Sequence, residues 1–91
     1  MAAEARRFKI VNEKGLHARA SAKLVETVEK FDARAEVFRD GLSASGDSIM
    51  GLLMLAASKG TYIEVQTEGP EASALADALE NLVAGCFGED L

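Results

Sequence analysis

Along these 91 residues the apolar positions switch between the two-residue repeat of a strand and the longer repeat of a helix, and the order of the switches restricts the fold more than any other feature. Phe8 and Ile10 alternate with Arg7 and Lys9, which predicts a strand over 6–11, followed by an Asn12-Glu13-Lys14-Gly15 loop. Over 18–31, Ala20, Leu24, Val28 and Phe31 recur at helical spacing, with Lys23, Glu26, Glu29 and Lys30 mainly on the other side. Residues 33–39 and 42–45 read as strands joined by Asp40-Gly41, a pair suited to the positive backbone angles of a two-residue hairpin turn. Ser48 can cap a short helix over 48–55, and Tyr62, Ile63 and Val65 mark a fourth strand. Gly69-Pro70-Glu71 predicts a last helix start, with proline in the first turn and an acid at the positive end of the dipole. Ala72, Leu75, Ala76, Leu79, Leu82 and Val83 continue it to the breakers Gly85 and Gly88. Amphipathic helices need a sheet face to cover. The order βαββαβα therefore predicts an α/β (α+β) open-faced sandwich: a four-stranded, mostly antiparallel sheet with three helices on one face.

A chain of this size buries about two-thirds of its unfolded surface, enough for a thin core, and 48% apolar residues argue against disorder. Ten basic against fifteen acidic residues give a net charge of -5. That balance offers no electrostatic grip on nucleic acid or anionic lipid. A lone cysteine, Cys86, makes no internal disulfide and implies no oxidising compartment. The polar start, residues 1–7, is not followed by an apolar signal core, and the longest apolar run, 49–57, is nine residues, too short to span a bilayer. The expectation is one cytoplasmic domain over 1–91, without membrane insertion and monomeric by default. No cofactor is implied, since neither a P-loop nor a dinucleotide fingerprint occurs.

His17, the one histidine, stands where the first loop becomes the first helix. No Ser, Thr, Asp or Asn occupies that helix start, which predicts that the N–H groups around Ala18 and Arg19 lack side-chain acceptors. Such donors, with the positive end of the dipole, form an anion site, and Arg19 can add forked hydrogen bonds to phosphate oxygens. The same dipole favours the neutral, nucleophilic ring. Gly15 lets the loop backbone approach closely and Leu16 can anchor it in the core. These parts suit a histidine that receives and hands on a phosphoryl group, because a P–N bond is labile enough to move the group onward. By position alone, a lone histidine at a helix start is more commonly a cap or a surface residue. A metal site lacks a second histidine and any carboxylate cluster at ligand spacing, and Ser–His hydrolysis lacks a nucleophile elbow.

Asn12-Glu13-Lys14-Gly15-Leu16-His17-Ala18-Arg19-Ala20 resembles the active-centre signature of the histidine-containing phosphocarrier (HPr) family of the bacterial phosphoenolpyruvate-dependent phosphotransferase system. Asp47-Ser48-Ile49-Met50-Gly51-Leu52-Leu53-Met54-Leu55 is similar to that family's regulatory-serine helix, at the family's separation from His17. Length, element order and the Gly-Pro-Glu helix start agree over residues 6–83.

The resemblance implies that His17 accepts the phosphoryl group on Nδ1, that Arg19 steadies it, and that the backbone N–H groups of Ala18 and Arg19 neutralise its charge. It implies enzyme I as donor, an enzyme IIA-type acceptor, and a docking surface at Ala22, Ile49, Met50 and Leu53. Apolar residues of a short helix are more often core than interface, yet a segment this short cannot bury every side against one sheet. Ser48 becomes the site of an HPr kinase/phosphorylase, where phosphate adds about -1.5 to -2 charges; a plain N-cap needs no kinase. The protein would be a carrier without independent turnover.

Ala20 stands where many members have proline, a variant familiar from proteobacterial sequences. Glu26, Glu29 and Asp47 occupy a rim that is often lysine-rich, which points towards the nitrogen-related branch. A reading from another class is a regulatory binding module, switched by phosphorylation at His17 or Ser48, without sugar transport. Some relatives lack the histidine and act through the serine alone; His17 with Arg19 argues against that extreme form. A structural domain without phosphotransfer is the third reading.

Overall fold

A computed structural model describes residues 3–89. Its elements are β1 (Ala3–Lys9), α1 (Ala18–Glu29), β2 (Arg34–Arg39), β3 (Leu42–Ser45), α2 (Ile49–Met54), β4 (Tyr62–Glu68), α3 (Ala72–Ala84) and a 3₁₀ turn, Cys86–Gly88. The strands form one sheet in the order β1-β4-β2-β3, with every neighbouring pair antiparallel. Cross-strand pairs build its inner face: Phe8 lies opposite Ile63, Val37 opposite both Val65 and Ala44, and Ala35 opposite Thr67. All of these are buried. The β4 sequence alternates strictly, Ile63, Val65 and Thr67 inward and Tyr62, Glu64, Gln66 and Glu68 outward, so one face meets the helices and the other meets water. α1 lays Ala20, Ser21, Leu24, Val25 and Val28 on the core, and α3 lays Ala72, Leu75, Ala76, Leu79 and Val83 beside them. Asp40 and Gly41 both have positive φ (49° and 80°), the hairpin turn that their sequence requests.

Several boundaries differ from the periodicity by a few residues, and three of the differences have a clear physical reason. β1 starts at Ala3, because the small and polar residues Ala3, Glu4 and Ala5 pair their backbone with β4 although they carry no apolar alternation. Arg6 shares the inward side of that edge strand with Phe8, yet its guanidinium reaches Asp77 and Glu80 of α3 and Glu4 of its own strand. α1 stops at Glu29, leaving Phe31 outside the helix but half-buried against the core. α3 begins at Ala72 with Glu71 as its cap residue, so Pro70 precedes the helix and does not sit in its first turn. The Glu71 carboxylate turns away from the helix and accepts from the backbone N–H of Asp32 at 2.7 Å.

Beyond Gly85 the chain turns back into the fold. Cys86 and Phe87 both adopt positive φ (58° and 55°), a conformation costing an L-residue roughly 1–2 kcal/mol. Phe87 is fully buried, the largest such side chain among the described residues, and burying it returns about 1.5–3 kcal/mol. Over two residues the strain of about 2–4 kcal/mol is offset by burial of both Phe87 and Cys86 and by the Lys23 hydrogen bond to the Phe87 carbonyl, which hold the tail where the sequence periodicity had already ended. Among the described residues no helix is long and apolar enough to cross a membrane.

Candidate functional site

The loop from β1 to α1 is fixed by its backbone. Gly15 has φ +66°, and a Cβ there would come within 2.4 Å of the Ala57 carbonyl oxygen. The next residue uses that same carbonyl: Leu16 N–H donates to Ala57 O at 2.8 Å while the Leu16 side chain is buried. A glycine is needed at position 15 because the two chain segments touch. Asn12, fully buried at the head of the loop, donates from Nδ2 to Gly15 O at 2.8 Å and closes the turn.

His17 then leaves the loop in extended geometry (φ -81°, ψ -175°) and is itself the N-cap of α1. Its Nδ1 accepts from the Arg19 N–H at 3.3 Å, while its carbonyl takes the first helical bond from Ser21. The expectation of a helix start without any side-chain acceptor is corrected here: the imidazole is the acceptor. A backbone N–H can only donate, so in the neutral ring Nδ1 is unprotonated and the proton sits on Nε2. Nε2 faces Glu89 Oε2 at 2.5 Å, and Glu89 Oε1 accepts from Asn12 Nδ2 at 3.0 Å. These contacts, Asn12's foremost, hold the Glu89 carboxyl below its ordinary range.

Arg19 is exposed and pairs with no carboxylate among the described residues. Glu13, Lys14, His17, Arg19, Lys23, Gly88 and Glu89 line one open cleft of about 500 Å³. An anion at Nδ1 would meet N–H groups of the helix start beside the Arg19 guanidinium, in a cleft whose lining also carries Lys14 and Lys23 against Glu13 and Glu89. A somewhat larger concavity, about 570 Å³, lies at the other end of β1, but its lining includes no histidine or cysteine.

Glu89 was invisible to the spacing argument, because it follows two glycines that read as breakers. The available signal was the Cys86-Phe87 pair between those glycines: two apolar residues after a helix end have to go somewhere dry. Ser48 caps α2, its Oγ accepting from Gly51 N–H at 3.1 Å. On that helix Ile49 and Met50 are exposed, Leu53 is half-buried and Leu52 is fully buried. Met54, exposed at 77%, extends the apolar surface beyond the residues picked from sequence. Ala22 is half-buried on α1, which packs against α2.

Residues 4–85 match the family model PTS-HPr, described as the PTS HPr component phosphorylation site. The chain belongs to the HPr family. It is 46% identical to the phosphocarrier protein HPr of Neisseria meningitidis over 82 residues, covering 90% of this chain and 92% of that protein. The phosphocarrier protein HPr of Cupriavidus necator is 44% identical over 80 residues, 88% of this chain and 90% of the relative. Among solved structures, HPr-C-His from Thermoanaerobacter tengcongensis superposes with a TM-score of 0.91 at 34% identity, over 97% of this chain and 99% of that one. The HPr of Bacillus anthracis gives 0.85 at 32% identity, over 91% and 99%. The open-faced sandwich is thus the HPr fold, and the chain is a phosphocarrier of the phosphotransferase system. Glu89 lies outside the residues matched by the family model.

Proposed function

We propose that this HPr-family chain takes a phosphoryl group on His17 Nδ1 from phosphoenolpyruvate-charged enzyme I and passes it to enzyme IIA-type acceptors, working as a cytoplasmic monomer without turnover of its own. The observation that carries the reading is the cap geometry: the one histidine turns Nδ1 towards the N–H groups of a helix start, beside an arginine with no carboxylate partner among the described residues. In the transfer the Nδ1 lone pair attacks phosphorus and the donor's bond to phosphorus breaks, its electron pair leaving with the donor. The proton on Nε2 stays in place. The Ala18 and Arg19 N–H groups and the Arg19 guanidinium face the oxygens that arrive.

Ile49, Met50 and Leu53, with Ala22 beside them on α1, are the proposed docking surface, and an apolar patch on a charged protein suits such a role. Ser48 supports a regulatory reading. It caps α2 next to exposed Ile49 and Met50, so a phosphate added there by an HPr kinase/phosphorylase would set roughly -1.5 to -2 charges at the edge of the patch. A nitrogen-type regulatory relay is the second reading: Glu26, Glu29 and Asp47 add negative charge that acidic acceptors would oppose, while Arg19 and Lys23 retain positive charge that sugar-system acceptors could use.

The test is to mix the protein with phosphoenolpyruvate and magnesium, with and without enzyme I, and to read intact mass under alkaline conditions. One acid-labile phosphoryl group, dependent on enzyme I and absent in His17→Ala, is the expected result. Label retained by His17→Ala would remove His17 as the acceptor.

A further inference from the structure

A ring that attacks through one chosen nitrogen has to be held with its proton on the other. We infer that Glu89, itself oriented by Asn12, is a positioning residue for phosphoryl transfer: its carboxylate keeps the His17 ring proton on Nε2 and opposes the positive charge the ring carries once Nδ1 is phosphorylated. This rests on the reading of His17 as the acceptor.

Both oxygens of the carboxylate are engaged, Oε1 by Asn12 and Oε2 by the ring. Asn12 is fully buried and spends both Nδ2 hydrogens, on Gly15 O and on Glu89. Its amide cannot turn over, because Oδ1 would then face a carbonyl and a carboxylate. The chain behind Glu89 is held as firmly: Phe87 is fully buried, and Lys23 Nζ donates to the Phe87 carbonyl at 2.6 Å. A buried amide and a buried phenyl ring therefore deliver one carboxylate to the side of the imidazole opposite the reacting nitrogen. Elsewhere an acid behind a histidine sets its tautomer and steadies the cation that forms.

Charge and atoms balance through the cycle. As the Nδ1–P bond forms and the donor's bond to phosphorus breaks, the ring becomes a phosphoimidazolium whose proton stays on Nε2 and is donated to the Glu89 carboxylate. When the group is handed on, the Nδ1–P electron pair returns to Nδ1 and the ring is neutral again. Among the described residues, Glu89 is the one charged side chain of the cleft that touches the ring.

The test uses the full chain labelled with ¹⁵N, as wild type, Glu89→Gln and Asn12→Asp. Ring nitrogens are read by NMR about two pH units above the ordinary histidine value of ~6.5. Amide spectra check the fold, and phosphoryl acceptance from charged enzyme I is followed in a single turnover by intact mass. Glutamine keeps the shape of Glu89 but offers one acceptor oxygen to two donors, so one of the two bonds has to fail. Asn12→Asp is nearly isosteric and sets carboxylate against carboxylate. The expected result is a single Nε2–H tautomer in the wild type, a tautomer mixture in both variants, and acceptance slower by roughly tenfold to a hundredfold. A single unchanged tautomer in folded Glu89→Gln, or a tautomer mixture with an unchanged rate, would overturn the inference. A wild-type protein that takes no phosphoryl group from active enzyme I would end the acceptor reading itself, and the ring NMR would still report the contact, so the two failures are told apart.

Discussion

Two helices carry the sequence signals of this protein, and they start in opposite ways. α2 opens on Ser48, whose Oγ accepts from Gly51 N–H at 3.1 Å, an ordinary cap. α1 opens on His17, whose Nδ1 accepts from Arg19 N–H at 3.3 Å, beyond the usual range for a strong N–H···N contact. Among the described residues the hydroxyl's one hydrogen bond is to its own helix. The ring nitrogen is a loose cap, and looseness suits a group that has to leave its N–H for phosphorus and let a phosphate oxygen take the donor over. The ring is secured from its far side, where Nε2 meets Glu89 at 2.5 Å. Stability of the helix start and reactivity of the cap atom are thereby assigned to different contacts.

Replacing each cap with the other kind of residue should separate those roles. His17→Asn has the largest expected effect. Phosphoryl acceptance disappears, while stability stays within about 0.5 kcal/mol of wild type or rises, because asparagine is a better N-cap than imidazole. Chemical denaturation and the intact-mass assay read the two quantities on one sample. A drop of several kcal/mol would mean that the ring holds the fold as well as the chemistry. Ser48→Ala should do the reverse. Acceptance at His17 is unchanged, and stability falls by about 1 kcal/mol as the Gly51 N–H loses its acceptor. A slower acceptance in Ser48→Ala would show that the two helix starts are coupled, and the division of roles would fail.

The same contrast explains what the sequence makes legible. Ser48 announces itself, since serine before an apolar run is a cap signal, and the motif around Gly15, Leu16 and His17 places the loop, the glycine and the histidine. The four strands and three helices are readable because Phe8, Val37, Ile63 and Val65 alternate and Leu24, Leu75 and Leu79 keep helical spacing. His17 as its own cap was one of the readings its position left open, and only the backbone angles, which bring Nδ1 to the Arg19 N–H, decide for it. Glu89 was not readable for a different reason. Its placement depends on Cys86 and Phe87 taking left-handed angles, which no periodicity encodes, and on a contact reaching back 72 residues to His17. Pro70 misled by two positions, since the helix starts at Ala72 and the proline ring fits equally before a helix and inside its first turn.

Acid provides the finest test of the difference between the two starts. Ser48 has no proton that titrates in mild acid, so the stability difference between wild type and Ser48→Ala should be flat with pH. Glu89 behaves otherwise. Its carboxyl is held below the ordinary 4.5, chiefly by the Asn12 hydrogen bond against an opposing desolvation, with further lowering from His17 and Lys14. A carboxyl whose value is lower folded than unfolded stabilises the fold fully above the unfolded value, and that contribution fades as pH falls through the folded one. The difference in denaturation midpoint between wild type and Glu89→Gln should therefore be largest above the unfolded carboxyl value and shrink as pH falls below it. Glu13, lowered by Lys59, is present in both proteins and cancels in the subtraction. A Glu89→Gln difference as flat as that of Ser48→Ala would mean that the carboxylate does not engage Asn12 and His17 in solution, and α1 would then be capped by a ring with no support behind it.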